Sequence, residues 1–115
     1  MNWRDEDTLL DIAIAAERII DFLQGMSREE FMQDARTQSA IQHQLMIMGE
    51  AVKRLSDEFR SQNPDIPWSS VAGMRDRLIH AYERVSLDIV WDTAVGAVPD
   101  LLTTLKPFVP KPPAE

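Results

Sequence analysis

Thr37-Gln38-Ser39-Ala40-Ile41-Gln42-His43-Gln44-Leu45-Met46-Ile47-Met48-Gly49-Glu50-Ala51-Val52-Lys53-Arg54-Leu55-Ser56-Asp57-Glu58-Phe59-Arg60 decides how the rest of the chain is read. Ile41, Leu45, Met48, Val52, Leu55 and Phe59 follow one another in alternating steps of four and three. That spacing makes the apolar seam of a helix packed on another helix. It predicts one helix over residues 37–60. Gly49 is a poor helix former, so its place in this run predicts the close approach of a second helix. His43 falls off the seam and reads as a surface residue. Glu50, Lys53 and Arg54 read as a solvated face, and Met46 and Met48 as core filler.

Working outward, residues 4–24 carry Leu9, Ile12, Ala16, Ile19, Ile20 and Leu23 at helical spacing, with Gly25 placed to end that helix. Ser27-Arg28-Glu29-Glu30 is a capping box that opens a short second helix bearing Phe31 and Met32. On the other side, Asn63-Pro64-Asp65-Ile66-Pro67 is a loop whose prolines cannot continue a helix. A fourth helix starts at Pro67 or Trp68, with Val71, Met74 and Leu78 facing the core. Ser86 can cap a fifth, which holds Leu87, Val90, Trp91, Ala94, Val95, Val98, Leu101, Leu102 and Leu105. Pro99 falls inside it and predicts a kink. No strand pattern, repeat or phosphate-binding glycine loop is present. The expected fold is all-α, an antiparallel bundle of four to five helices over residues 1–106. The proline-rich tail, residues 107–115, is expected to be extended or mobile.

Composition narrows the chemistry. The chain has 115 residues, enough for one core without staples. It has no cysteine, which excludes disulfides, thiol catalysis and cysteine-based zinc sites. No apolar run is long enough to span a membrane and the N-terminus is acidic, unlike a signal peptide, so a cytoplasmic protein is expected. A net charge of −7 argues against generic nucleic-acid binding, which needs a basic footprint. RNA contact would require a local basic patch, and Arg75, Arg77 and Arg84 could supply one. An acidic exterior also suits a basic protein partner.

The densest chemistry lies in Gly73-Met74-Arg75-Asp76-Arg77-Leu78-Ile79-His80-Ala81-Tyr82. Asp76 is one helical turn before His80, where its carboxylate can accept the imidazole N–H and favour the protonated ring. Arg77 lies beside the same ring and opposes that. Arg75 and His80 are five residues apart, which puts them about 140° apart around a helix. One straight helix therefore cannot aim both at one point. Either the helix ends or distorts near His80, or a second copy of the chain completes the site; we favour a two-fold dimer. Imidazole and guanidinium together suit metal-free RNA cleavage. Histidine can move a proton at the 2′-hydroxyl or the leaving oxygen, and arginine can hold the phosphate. Asp76 and His80 are too few ligands for a metal site, so no metal or other cofactor is expected. On the motif alone, the bland reading of a solvated helix face competes with this one.

Arg75, four residues, His80, one residue, Tyr82 resembles the R-x4-H-x-Y motif of the HEPN superfamily, in its HepT-like branch. The likeness extends further. Met48-Gly49-Glu50-Ala51-Val52-Lys53-Arg54-Leu55-Ser56 is similar to that group's third-helix segment. Ile66-Pro67-Trp68 before the motif and Leu87-Asp88-Ile89-Val90-Trp91-Asp92-Thr93 after it are similar to the family's stretches there. It covers roughly residues 4–105. The resemblance implies a toxin of a toxin–antitoxin system, a metal-independent endoribonuclease acting on mRNA or tRNA. Arg75 and His80 would be its catalytic pair in a cleft shared by a homodimer, with Asp76 and Arg77 supporting. It further implies a nucleotidyltransferase antitoxin as partner, a larger complex with that antitoxin, and Tyr82 as acceptor of AMP. Residue 76 is commonly Asn in the family; a carboxylate there repels RNA and could slow cleavage or tune His80. Two other readings stand beside this one. The chain could be a non-catalytic helical module that binds a nucleotidyltransferase, or a structural bundle whose motif is surface decoration.

Overall fold

Every ordered element is helical in the computed structural model, which describes residues 3–80 and 85–110. The chain runs through α1 (Trp3–Phe22), α2 (Arg28–Met32), α3 (Ala35–Arg54), α4 (Asp57–Gln62) and α5 (Trp68–His80). It continues through α6 (Leu87–Asp92), a π turn (Thr93–Ala97), α7 (Val98–Leu105) and a closing 3-10 turn (Lys106–Phe108). The expected all-α class holds. The number of α-helical stretches among the described residues exceeds four or five, because two of the expected helices are each divided.

The first division corrects the single helix expected over residues 37–60. The chain leaves the helix at Leu55, whose backbone is extended, and Ser56 caps α4 by accepting the Phe59 N–H at 3.1 Å. Asp5 of α1, only 3% exposed, accepts the Ser56 N–H at 2.9 Å and its hydroxyl at 2.6 Å. Leu55 and Phe59 are buried on either side of the break. The apolar periodicity therefore runs on across a backbone that does not.

The second division lies next to Pro99. A proline has no N–H to give to the preceding turn. The helix widens just before it, with the Val98 N–H reaching back five residues to the Thr93 carbonyl. A π turn of this kind, rather than a bare kink, joins α6 to α7.

Other local signals act as read, except at Ser86. Gly25 takes the left-handed conformation (φ 72°) that ends the first helical segment. Both halves of the Ser27–Glu30 capping box form, at 3.1 and 3.0 Å. Trp68 begins α5, and its indole N–H donates to the Asn63 carbonyl at 3.0 Å. Ser86 stands at the N-cap of α6, but its side chain makes no capping bond.

α3 is the central helix. It packs on α1 along one flank and on α5 along the other, and α7 closes against α1. Leu9, Ile12 and Ile19 of α1, Ile41, Met48 and Val52 of α3, and Leu105 of α7 are fully buried between them. Each such side chain stabilises the fold by about 1.5–3 kcal/mol relative to exposure. His43 is exposed, as read from its register. Phe108 stands edge-on to Phe59 at 5.5 Å, so the start of the tail is packed on the bundle instead of extended. Among the described residues no helix is long and apolar enough to cross a membrane.

The Asp5–Ser56 contact gives a direct check. Asp5→Ala should lower unfolding stability by about 1–3 kcal/mol, because it leaves the part-buried Ser56 donors unpaired. Urea denaturation followed by circular dichroism measures this, with exposed Ser61→Ala as the neutral control.

Candidate active site

The motif helix α5 is set by its contact with α3. A Cβ built at Gly49 would overlap the Arg75 Cβ, and would lie 3.0 Å from the Arg75 Cγ and 3.1 Å from the Val71 carbonyl. The missing side chain at position 49 is thus what lets the stem of Arg75 lie on the α3 backbone. The close approach read from Gly49 is observed, and its partner is the motif arginine.

Once there, Arg75 is held from both sides. Its side chain is 22% exposed; Nη2 meets Glu50 Oε2 at 2.8 Å and Nη1 donates to Asp76 Oδ1 at 3.0 Å. The same Oδ1 accepts from Lys53 Nζ at 2.5 Å. Arg75 Nε is buried and has no hydrogen-bond partner among the described residues. Glu50 and Lys53 were expected on a solvated face. They are exposed, but α5 crosses that face beside Gly49, and their charges tie α3 to the motif. Arg54 likewise contacts Asp11 of α1, at 3.5 Å.

The four charges sum to zero and perturb one another. Hydrogen bonds from Lys53 first, and from Arg75 second, hold the Asp76 carboxyl below the usual aspartate range. Arg75 is raised, first by its bond to Asp76 and further by the Glu50 charge. A carboxylate that prefers two cations is not available to the imidazole. Asp76 faces Lys53 and Arg75, not His80, which departs from the contact its spacing allowed.

The remaining motif residues point elsewhere. α5 is helical without interruption from Trp68 to His80, so no distortion within it brings Arg75 and His80 together. His80 is exposed and has no hydrogen-bond partner among the described residues. Arg77 is exposed and makes no ion pair among them. It borders a cleft of about 420 Å³ lined by Met48, Val71, Met74, Ile89 and Val98. Tyr82 and Arg84 lie outside the described residues. Among those described, no group of three or more His, Cys, Asp or Glu could hold a metal ion. Glu50 and Lys53 are the site residues that sequence reasoning missed. The available signal was their position next to Gly49 and one turn on, on the flank where a close helix had to pass.

The arrangement defines a helical bundle that presents an arginine and a histidine from one motif helix. Residues 12–108 match the HepT-like ribonucleases, and the chain belongs to that family. A probable ribonuclease HepT of Thermococcus cleftensis is 42% identical over 101 residues, covering 88% of this chain and 92% of that protein. A candidate RNase of Methanocaldococcus jannaschii is 37% identical, covering 88% and 84%. Another, of Caldanaerobacter subterraneus subsp. tengcongensis, is 40% identical, covering 83% and 85%. No solved structure matches the chain.

The lowered pKa of Asp76 fixes the sign of a pH effect. A carboxyl whose folded pKa lies below its unfolded value, about 3.9, stabilises the fold above that pH. The contribution disappears as pH falls through the folded pKa. Wild type should therefore exceed Asp76→Asn in stability by a constant margin at pH 5–7 and lose that margin toward pH 2–3. Thermal melts of both proteins across that range measure the difference.

Proposed function

We propose that this chain is a metal-independent endoribonuclease of toxin type, cutting RNA in a cleft shared by two protomers. His80 moves the proton at the 2′-hydroxyl or the leaving oxygen, and Arg75 clamps the scissile phosphate. The observation that carries the shared cleft is the continuous α5. It anchors Arg75 on α3 and leaves His80 exposed about 140° away around the helix. A two-fold axis beside this helix lets the ring of one protomer approach the guanidinium of the other. Membership of the HepT-like ribonucleases, and the RNase names of its relatives, support RNA as the substrate.

The same reading assigns the regulation. A nucleotidyltransferase antitoxin adds AMP to Tyr82, and the bulky anion closes the cleft to RNA by charge and volume. Antitoxin and toxin dimer then form a larger complex in the cytoplasm. Asp76 and Arg77 support the site, and no cofactor takes part.

A second reading rests on a specific feature. Glu50 and Asp76 together offset the charge of Arg75, as suits a binding module that docks a nucleotidyltransferase and cuts nothing. Cleavage assays separate the two. Under the ribonuclease reading, purified protein cuts RNA in EDTA and leaves 2′,3′-cyclic phosphate ends. His80→Ala should then lower the rate by about 10²–10⁴-fold without dissociating the dimer. Arg75→Ala should lower it comparably. Cleavage that needs Mg²⁺, or wild type inert on RNA at every concentration, contradicts this reading.

A further inference from the structure

We infer that Lys53 and Arg75 form a two-cation cradle for a phosphate of the RNA backbone, in which Asp76 is the built-in anion that the phosphate displaces. The inference rests on the ribonuclease reading for its ligand and on the ion geometry for its site.

A single oxygen, Asp76 Oδ1, accepts from the Lys53 ammonium at 2.5 Å and from the Arg75 guanidinium at 3.0 Å. The two donors come from different helices and converge on one point. That convergence is what a phosphate oxygen requires. The point is open to solvent, since the side chains of Lys53 and Asp76 are 39% and 47% exposed. Arg75 is far more enclosed, and its other amino group is fixed by Glu50. When Asp76 swings out, Glu50 keeps the guanidinium turned so that Nη1 still faces Lys53. Glu50 is therefore a positioning residue for the cradle, and Lys53 a phosphate-binding one.

The displacement is feasible because ion pairs at exposed positions are weak. A nucleic-acid strand brings several phosphates at once and releases counterions as it binds. The cradle also answers how a chain of net charge −7 offers RNA a local cationic spot. The price is competition: Asp76 has to be moved before the site is available.

The experiment measures affinity for a 2′-O-methyl RNA oligonucleotide, which cannot be cleaved through its 2′ position, by fluorescence anisotropy across a salt series. Wild type, Asp76→Asn, Lys53→Met and the double variant are compared, with thermal melts confirming that each is folded. Asp76→Asn should bind about tenfold more tightly, and most of that gain should vanish in the double variant, a coupling that a double-mutant cycle isolates. Lys53→Met should flatten the salt slope by roughly 0.7, one single-strand phosphate contact. An equal gain from Asp76→Asn with and without Lys53 overturns the cradle, because Asp76 then acts only as general repulsion. Absence of RNA binding in every folded variant overturns it too. Cleavage of unmodified RNA by wild type is scored in parallel. Cleavage without coupling discards the cradle and leaves the ribonuclease reading standing; coupling without cleavage does the reverse.

Discussion

The contact between Gly49 and Arg75 is the constraint on which the rest of this molecule depends. Two helices can approach until their side chains collide, and at this crossing one of them has no side chain to collide. Any Cβ at position 49 would occupy the space of the Arg75 Cβ. With that space free, the aliphatic stem of Arg75 is enclosed and only its guanidinium edge emerges, between Glu50 and Asp76. The orientation of the motif helix, and hence of His80 five residues further on, follows from that seat.

Charge is arranged with the same economy. The chain is strongly acidic, yet the motif arginine is paired inside a neutral group of four rather than left to an acidic surface. Pairing keeps the guanidinium in place and at the same time lowers its attraction for an incoming phosphate. Arg77 and His80 are exposed and carry no such partner among the described residues. The motif thus divides into an anchored half and an exposed half. The proposed chemistry needs both at one phosphate, which the proposed second protomer would supply.

Much of this was legible in the sequence. The class, the capping box at Ser27 and the turn at Gly25 follow from local rules that tertiary packing did not override, and the seam of the third helix runs as read as far as Arg54. Gly49 disclosed a close crossing before its partner was known. What was hidden is instructive for physical reasons. The break at Ser56 was masked because Leu55 and Phe59 keep the helical rhythm across it. The residue that stabilises the break, Asp5, lies 51 positions away in sequence and reads locally as one more acid in an acidic N-terminal run. Glu50 and Lys53 looked like solvent-facing charges because a helix register gives direction and no knowledge of what crosses it. Spacing along one helix allows Asp76 to meet His80 but says nothing of Lys53 on another helix, which together with Arg75 takes the carboxylate. The pattern along α5 foretold the separation of Arg75 from His80, and the uninterrupted helix retains it.

The central claim is that each active site takes Arg75 from one protomer and His80 from the other. Mixing decides it. Arg75→Ala and His80→Ala chains, each inactive alone, are co-refolded or co-expressed, and RNA cleavage by the mixture is measured. If the site is shared, random pairing makes half of the dimers mixed and each mixed dimer holds one complete site, so roughly a quarter of wild-type activity should return. If the mixture stays as inactive as its components while mixed dimers are demonstrably present, Arg75 and His80 act within one chain or not at all, and the shared-site account is wrong.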